Sequence, residues 1–96
     1  MTMETTTTRF RLGRCYLTRG AQFALQQAGQ TPSEFFRRHE CCDWGEVAPD
    51  DWKLNDEAIT HGDRVLSTYS TRQGERLWVI TEAGYQITTM LLPEEY

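Results

Sequence analysis

Three β-rich runs crowd the C-terminal third of the chain, RVLSTYS, ERLWVITE and ITTMLLP, and only the short turn-like breaks TRQG and AGYQ separate them. Runs that close together are joined as hairpins, so the pattern predicts an antiparallel meander. In Leu77-Trp78-Val79-Ile80 the alternation of the middle run gives way to a continuous apolar stretch, as a central strand requires. No stretch of the chain carries a motif whose spacing alone fixes a reaction.

The first half reads differently. Phe10, Leu12 and Tyr16 predict a first strand over about residues 9–17, with Arg9, Arg11 and Arg14 facing solvent and Cys15 in the core. Thr18 caps an expected helix over about 19–28, where Ala21, Leu25 and Ala28 recur at helical spacing and Gly29 supplies the left-handed stop. Thr31-Pro32-Ser33-Glu34 has the form of a capping box with proline at the first helical position, so a second helix should run from Pro32 to about His39, anchored by Phe35 and Phe36. Trp44-Gly45 marks a tight point. A third helix is expected from Pro49 to Gly62, with Asp50 and Asp51 at its positive end and His61 at its negative end. On that helix Trp52, Leu54, Ala58 and Ile59 form one packing face. The order β-α-α-α-β-β-β gives an α+β layer fold: three short helices packed on one face of a four-stranded, largely antiparallel sheet. Residues 1–8 are expected to be a flexible polar tail and 9–96 a single domain.

Ninety-six residues suffice for one core without a metal or disulfide staple, and an apolar content of 39% is too high for wholesale disorder. The longest apolar runs, LWVI and MLL, are far too short to cross a membrane. The start, MTMETTTTRF, lacks the apolar core of a secretory signal, and three cysteines make no disulfide framework; a cytoplasmic protein with reduced thiols is expected. Charge is unevenly spread, with six Arg and one Glu over residues 9–38 against seven acids and one Lys over 40–57. Mutual neutralisation in the fold is the expected outcome, two faces of opposite sign the alternative. A net charge of −4 argues against nucleic acid as the leading partner, since counterion release favours basic chains.

Chemistry-bearing residues cluster in two places. Arg38 and His39 end the second helix, where cations are favoured by the dipole; with Arg64 and with Thr88 or Thr89 they could instead serve a metal-free ribonuclease. In that role His39 would move the proton while Arg38 or Arg64 stabilised the phosphate and Thr89 or Thr88 oriented it. Asp43, Trp44, Asp50, Asp51 and Trp52 interleave acids with tryptophan, the residue most enriched at binding hot spots, and form the candidate surface for a protein partner. His39, Cys41, Cys42 and Asp43 are all metal-binding types, but adjacent cysteines diverge and nothing closes a tetrahedron, so no metal or other cofactor is expected. Mimicry of nucleic acid has too few negative charges to rest on. The edge strand leaves homodimer formation open.

At Arg38-His39, Asp43-Trp44-Gly45, Asn55 with Ala58, Gly62 to Ser67 with Tyr69, Trp78 to Ala83, Thr88-Thr89 and Leu91 to Tyr96, the chain resembles a family of small bacterial and plasmid-related proteins. The likeness covers nearly everything after the threonine tail and implies no particular activity. In the family pattern Thr-Glu-Ala is followed by Asp-Arg-Ser, whereas Gly84-Tyr85-Gln86 stand here, and Cys41-Cys42 replace a smaller pair. Any anion bound by that Asp-Arg pair would be lost in this member. In layout alone the chain is also similar to ribonuclease toxins of the barnase, RelE and EndoU type. Two expectations follow: a non-enzymatic interaction or regulatory module linked to mobile elements, or a small metal-independent ribonuclease.

Overall fold

A computed structural model describes residues 8–96. Its elements are β1 (Arg14–Leu17), α1 (Arg19–Ala28), α2 (Pro32–Glu40), α3 (Pro49–Ala58), β2 (Val65–Ser70), β3 (Arg76–Thr81) and β4 (Ile87–Leu91), followed by a 3-10 turn at Pro93–Glu95. This is the expected α+β fold. The sheet order is β1-β4-β3-β2, with the meander antiparallel and β1 parallel to β4. Except for Thr8, the tail expected over residues 1–8 lies outside the described residues.

The first strand is shorter than its sequence pattern, because Gly13 turns the chain at φ +68 where its α-carbon crosses the Gln86 backbone too closely for any side chain. Residues 9–13 therefore leave the sheet, and Phe10 packs inward against His39, Trp44 and Tyr85. Cys15, expected in the core, is exposed on the resulting edge strand.

Thr18 caps α1, accepting from the Ala21 amide at 3.2 Å, and Gly29 closes it in the left-handed region. The capping box predicted for α2 does not form. Thr31 Oγ1 instead meets Ser33 Oγ at 3.2 Å, and the Glu34 carboxylate accepts from Gln30 Nε2. Helix α3 stops at Ala58, four residues before the predicted Gly62, because the chain winds through a turn in which Asp63 donates back to the Ala58 carbonyl. Leu54 is not on its packing face: it is 60% exposed, and Asn55 is the buried residue of this helix.

Two clusters make the core. Ala21, Leu25 and Phe35 from α1 and α2 cover Tyr69, Leu77, Val79 and Met90 of the sheet. Phe10, Cys42, Trp44 and Val65 form the second, with Trp52 and Ala58 of α3 and its C-cap Ile59 packed against it. Helix α3 also lies along the outer side of β2, where Asn55 Nδ2 donates to the Leu66 carbonyl at 2.8 Å and its Oδ1 accepts from the Leu66 amide at 3.4 Å.

Candidate functional site

Helix α2 aims His39 into the space between the two clusters, where it is fully buried. Its Nδ1 lies 2.6 Å from Ser67 Oγ and its Nε2 2.9 Å from Thr81 Oγ1, while Thr81 Oγ1 lies 2.7 Å from Thr88 Oγ1. The protons follow from the far end of this chain. Thr88 donates to the Leu12 carbonyl at 2.6 Å, so it accepts from Thr81. Thr81 must then accept from His39 Nε2–H, and His39 Nδ1 is left to accept from Ser67. The edges of the Phe10 and Trp44 rings close the remaining sides at centroid distances of 5.3 and 5.5 Å. Burial lowers the imidazole pKa to about 3, so the ring is neutral at physiological pH.

Arg38, one residue earlier, points the other way. Its Nε donates to Asp43 Oδ2 at 2.8 Å and Nη2 to Oδ1 at 3.4 Å, and its guanidinium lies 4.5 Å from the centre of the Tyr69 ring. Asp43 Oδ1 also accepts from the Gly45 amide, and the Asp43 carbonyl accepts from the Tyr69 hydroxyl at 2.6 Å. Burial raises the Asp43 pKa, but the Arg38 and Gly45 bonds outweigh it and hold the carboxyl below its ordinary range. This clasp fixes a loop in which Cys42 and Gly45 both take positive φ. It sets residues 44–46 beside β2, with Thr68 donating to the Trp44 carbonyl and accepting from the Glu46 amide.

The four residues weighed for phosphate chemistry do not meet in one cleft. His39 is enclosed, and Arg38 is clasped to Asp43. Arg64 lies over the Tyr96 ring, donating to the Tyr96 hydroxyl at 2.8 Å and pairing with Glu82 at 3.7 Å. Thr89 pairs with Ile80 in register and so lies on the sheet face opposite the His39 network, which contains Thr88. Among the described residues no three His, Cys, Asp or Glu side chains are grouped to hold a metal ion.

The five residues weighed for partner binding divide. Asp43 belongs to the clasp. Trp44 is a core residue, with none of its surface exposed, its ring stacked on Phe10 and its Nε1 donating to Asp56 at 2.9 Å; its place on a docking surface is corrected accordingly. Asp50 and Asp51 are exposed in the first turn of α3. Trp52 is half-buried and lines a shallow groove of about 380 Å³ with Val47, Pro49, Lys53 and Asp56. A second groove of about 430 Å³ runs along the other flank of α3, lined by Asp51, Leu54, Arg64, Leu66 and Trp78 among others. Leu54 and Trp78 escape a reading by pattern because Trp78 continues an apolar run that looks like core and Leu54 stands four residues before Ala58, at helical spacing.

Of the ion pairs among the described residues, Arg38–Asp43 alone joins the basic N-terminal third to the acidic middle; the others are Arg64–Glu82 and Arg76–Glu46. No family model, curated protein or solved structure matches the chain.

Proposed function

We propose that this chain is a non-enzymatic protein-interaction module, acting in the cytoplasm, whose docking surface is the outer flank of α3. The observation that carries this reading is Leu54, 60% exposed in the groove it lines with Asp51, Arg64 and Trp78, while Trp52 lines a second groove on α3. An exposed apolar anchor ringed by charge is the arrangement of an interface centre and rim. The acids select a partner with a basic surface around an apolar patch. A link to mobile elements rests on the family resemblance alone. Ribonuclease chemistry gains nothing from the geometry, because a neutral, enclosed His39 has no path to a 2′-hydroxyl.

The test is capture of partners from a nuclease-treated host lysate by tagged protein, with L54E and the pair D50K and D51K as comparisons. A stoichiometric protein lost with both variants supports the reading. Equal capture by folded variants moves the interface elsewhere.

A further inference from the structure

The opposite edge of the sheet carries a second, differently charged surface. Arg14 donates its amide to the Gln86 carbonyl and Thr18 to the Met90 carbonyl, so every second residue of β1 turns toward β4. The amides and carbonyls of Cys15 and Leu17 must therefore point away from the sheet. Among the described residues no backbone partner meets them. Arg14, Cys15 and Tyr16 are all exposed. Beside the start of this strand lies an open groove of about 1030 Å³, whose lining includes Arg11, Gly13, Arg14, Cys15, Tyr85 and Gln86. Its charged lining is Arg11 and Arg14 against one acid, Glu40. Arg9, Arg11, Arg14 and Arg19 are exposed, and none forms an ion pair among the described residues.

We infer that the outer edge of β1, with the arginine-lined groove at its start, is a docking site for an acidic peptide segment that adds to the sheet as a fifth strand. The outward groups of Cys15 and Leu17 alternate as a strand's partners must, which gives backbone pairing; the exposed arginines give the sign of the side chains that flank it. A nucleic acid would answer to the arginines but has no use for alternating donors and acceptors, and the chain's net negative charge opposes it elsewhere. Set against the acidic flank of α3, this edge makes the chain an adaptor with two ports of opposite sign.

The experiment titrates ¹⁵N-labelled full-length protein with an acetylated, amidated peptide alternating Glu with Val, and follows backbone amide shifts. The amides of Cys15 and Leu17 should move most, binding should weaken with salt, and R11E with R14E together should cut affinity about ten-fold. Methylating the peptide's nitrogens at alternate positions, in the phase that faces β1, should abolish binding. The inference is overturned if a Lys-Val peptide binds as tightly, if the shifts fall away from β1, or if the peptide N-methylated in the facing phase binds as well as one methylated in the other phase. It is equally overturned if an oligothymidylate outcompetes the acidic peptide at Arg11 and Arg14, which would make the surface a phosphate contact.

Discussion

The two edges of the sheet are built on opposite plans. Along β2 the outward backbone groups of Leu66 and Thr68 are occupied: Asn55 serves both groups of Leu66, and the Trp44–Glu46 segment serves both groups of Thr68. Along β1 the equivalent groups of Cys15 and Leu17 meet no backbone partner among the described residues. The difference is one of burial. Asn55 and Thr68 on this edge are buried, and a buried amide left unpaired costs about 1–3 kcal/mol, so the stretch that α3 and Trp44 cover folds only if it is closed. The β1 edge is hydrated and can stay open at little cost, but an open edge recruits strands, and its short length and arginines limit which strands it accepts.

If closing the β2 edge supports the fold, its components are where mutation is felt most. Trp44→Ala removes the largest fully buried side chain together with the Asp56 bond, and should cost about 3–5 kcal/mol in urea denaturation. Gly45→Ala should also be strongly destabilising, since φ +76 disfavours a β-carbon and the Thr68 carbonyl occupies its place. A Trp44→Ala protein within about 1 kcal/mol of the parent would mean that β2 does not depend on this segment.

His39→Ala comes next, at about 3 kcal/mol, because it opens a cavity and leaves the hydroxyls of Ser67 and Thr81 without their partner. The same residue sets a pH dependence with a definite sign. Its pKa falls from 6.5 in the unfolded chain to about 3 when folded, so below 6.5 the unfolded state binds the extra proton. Stability should be full above that pH and fall by up to about 1.4 kcal/mol per unit as pH drops toward 3. Asp43 and Glu95, both lowered below their ordinary ranges of 3.8 and 4.5, add losses of the same sign, but only at more acid pH. Between about pH 6.5 and 5 the slope belongs to His39. Denaturation midpoints measured across that window should slope for the parent and be flat for His39→Ala; a flat parent curve would place the imidazole in contact with water.

These contrasts separate what sequence periodicity can report from what it cannot. The meander was legible because alternation in β2 to β4 is a local signal and the intervening breaks are short. Helix α1 was legible because Thr18 and Gly29 end it through their own local chemistry. Thr31 has the same local signature and fails, since its hydroxyl finds Ser33 instead. The His39 network was illegible for another reason: Ser67, Thr81 and Thr88 come together only through strand register and Leu12 only through the turn at Gly13, and hydroxyl residues in strands look like ordinary β-formers. Leu54 and Cys15 were misplaced alike, because hydrophobicity predicts burial only on average. Arg38, His39, Asp43, Trp44, Gly45, Asn55, Ser67, Tyr69, Thr81 and Thr88 hold the closed edge and the buried polar chain, so architecture accounts for these residues before any activity does.

Asn55→Ala sharpens the comparison at intermediate cost. Loss of the amide strands both Leu66 groups beneath α3, for an expected 1–3 kcal/mol, about the cost of one unpaired buried group after partial relaxation.

The smallest effects belong to β1. Arg14→Glu and Cys15→Ser should each change stability by less than about 0.5 kcal/mol in the same denaturation assay, because both residues are exposed. Arg14 holds no ion pair among the described residues, and the Cys15 thiol reaches only the Gly13 carbonyl, at 3.9 Å. Near-neutrality is the informative outcome: an arginine that leaves stability untouched yet governs the affinity of an acidic strand is there for the partner. A loss above about 1 kcal/mol would instead put Arg14 among the supports of the fold and give β1 the structural role that the closed edge has at β2.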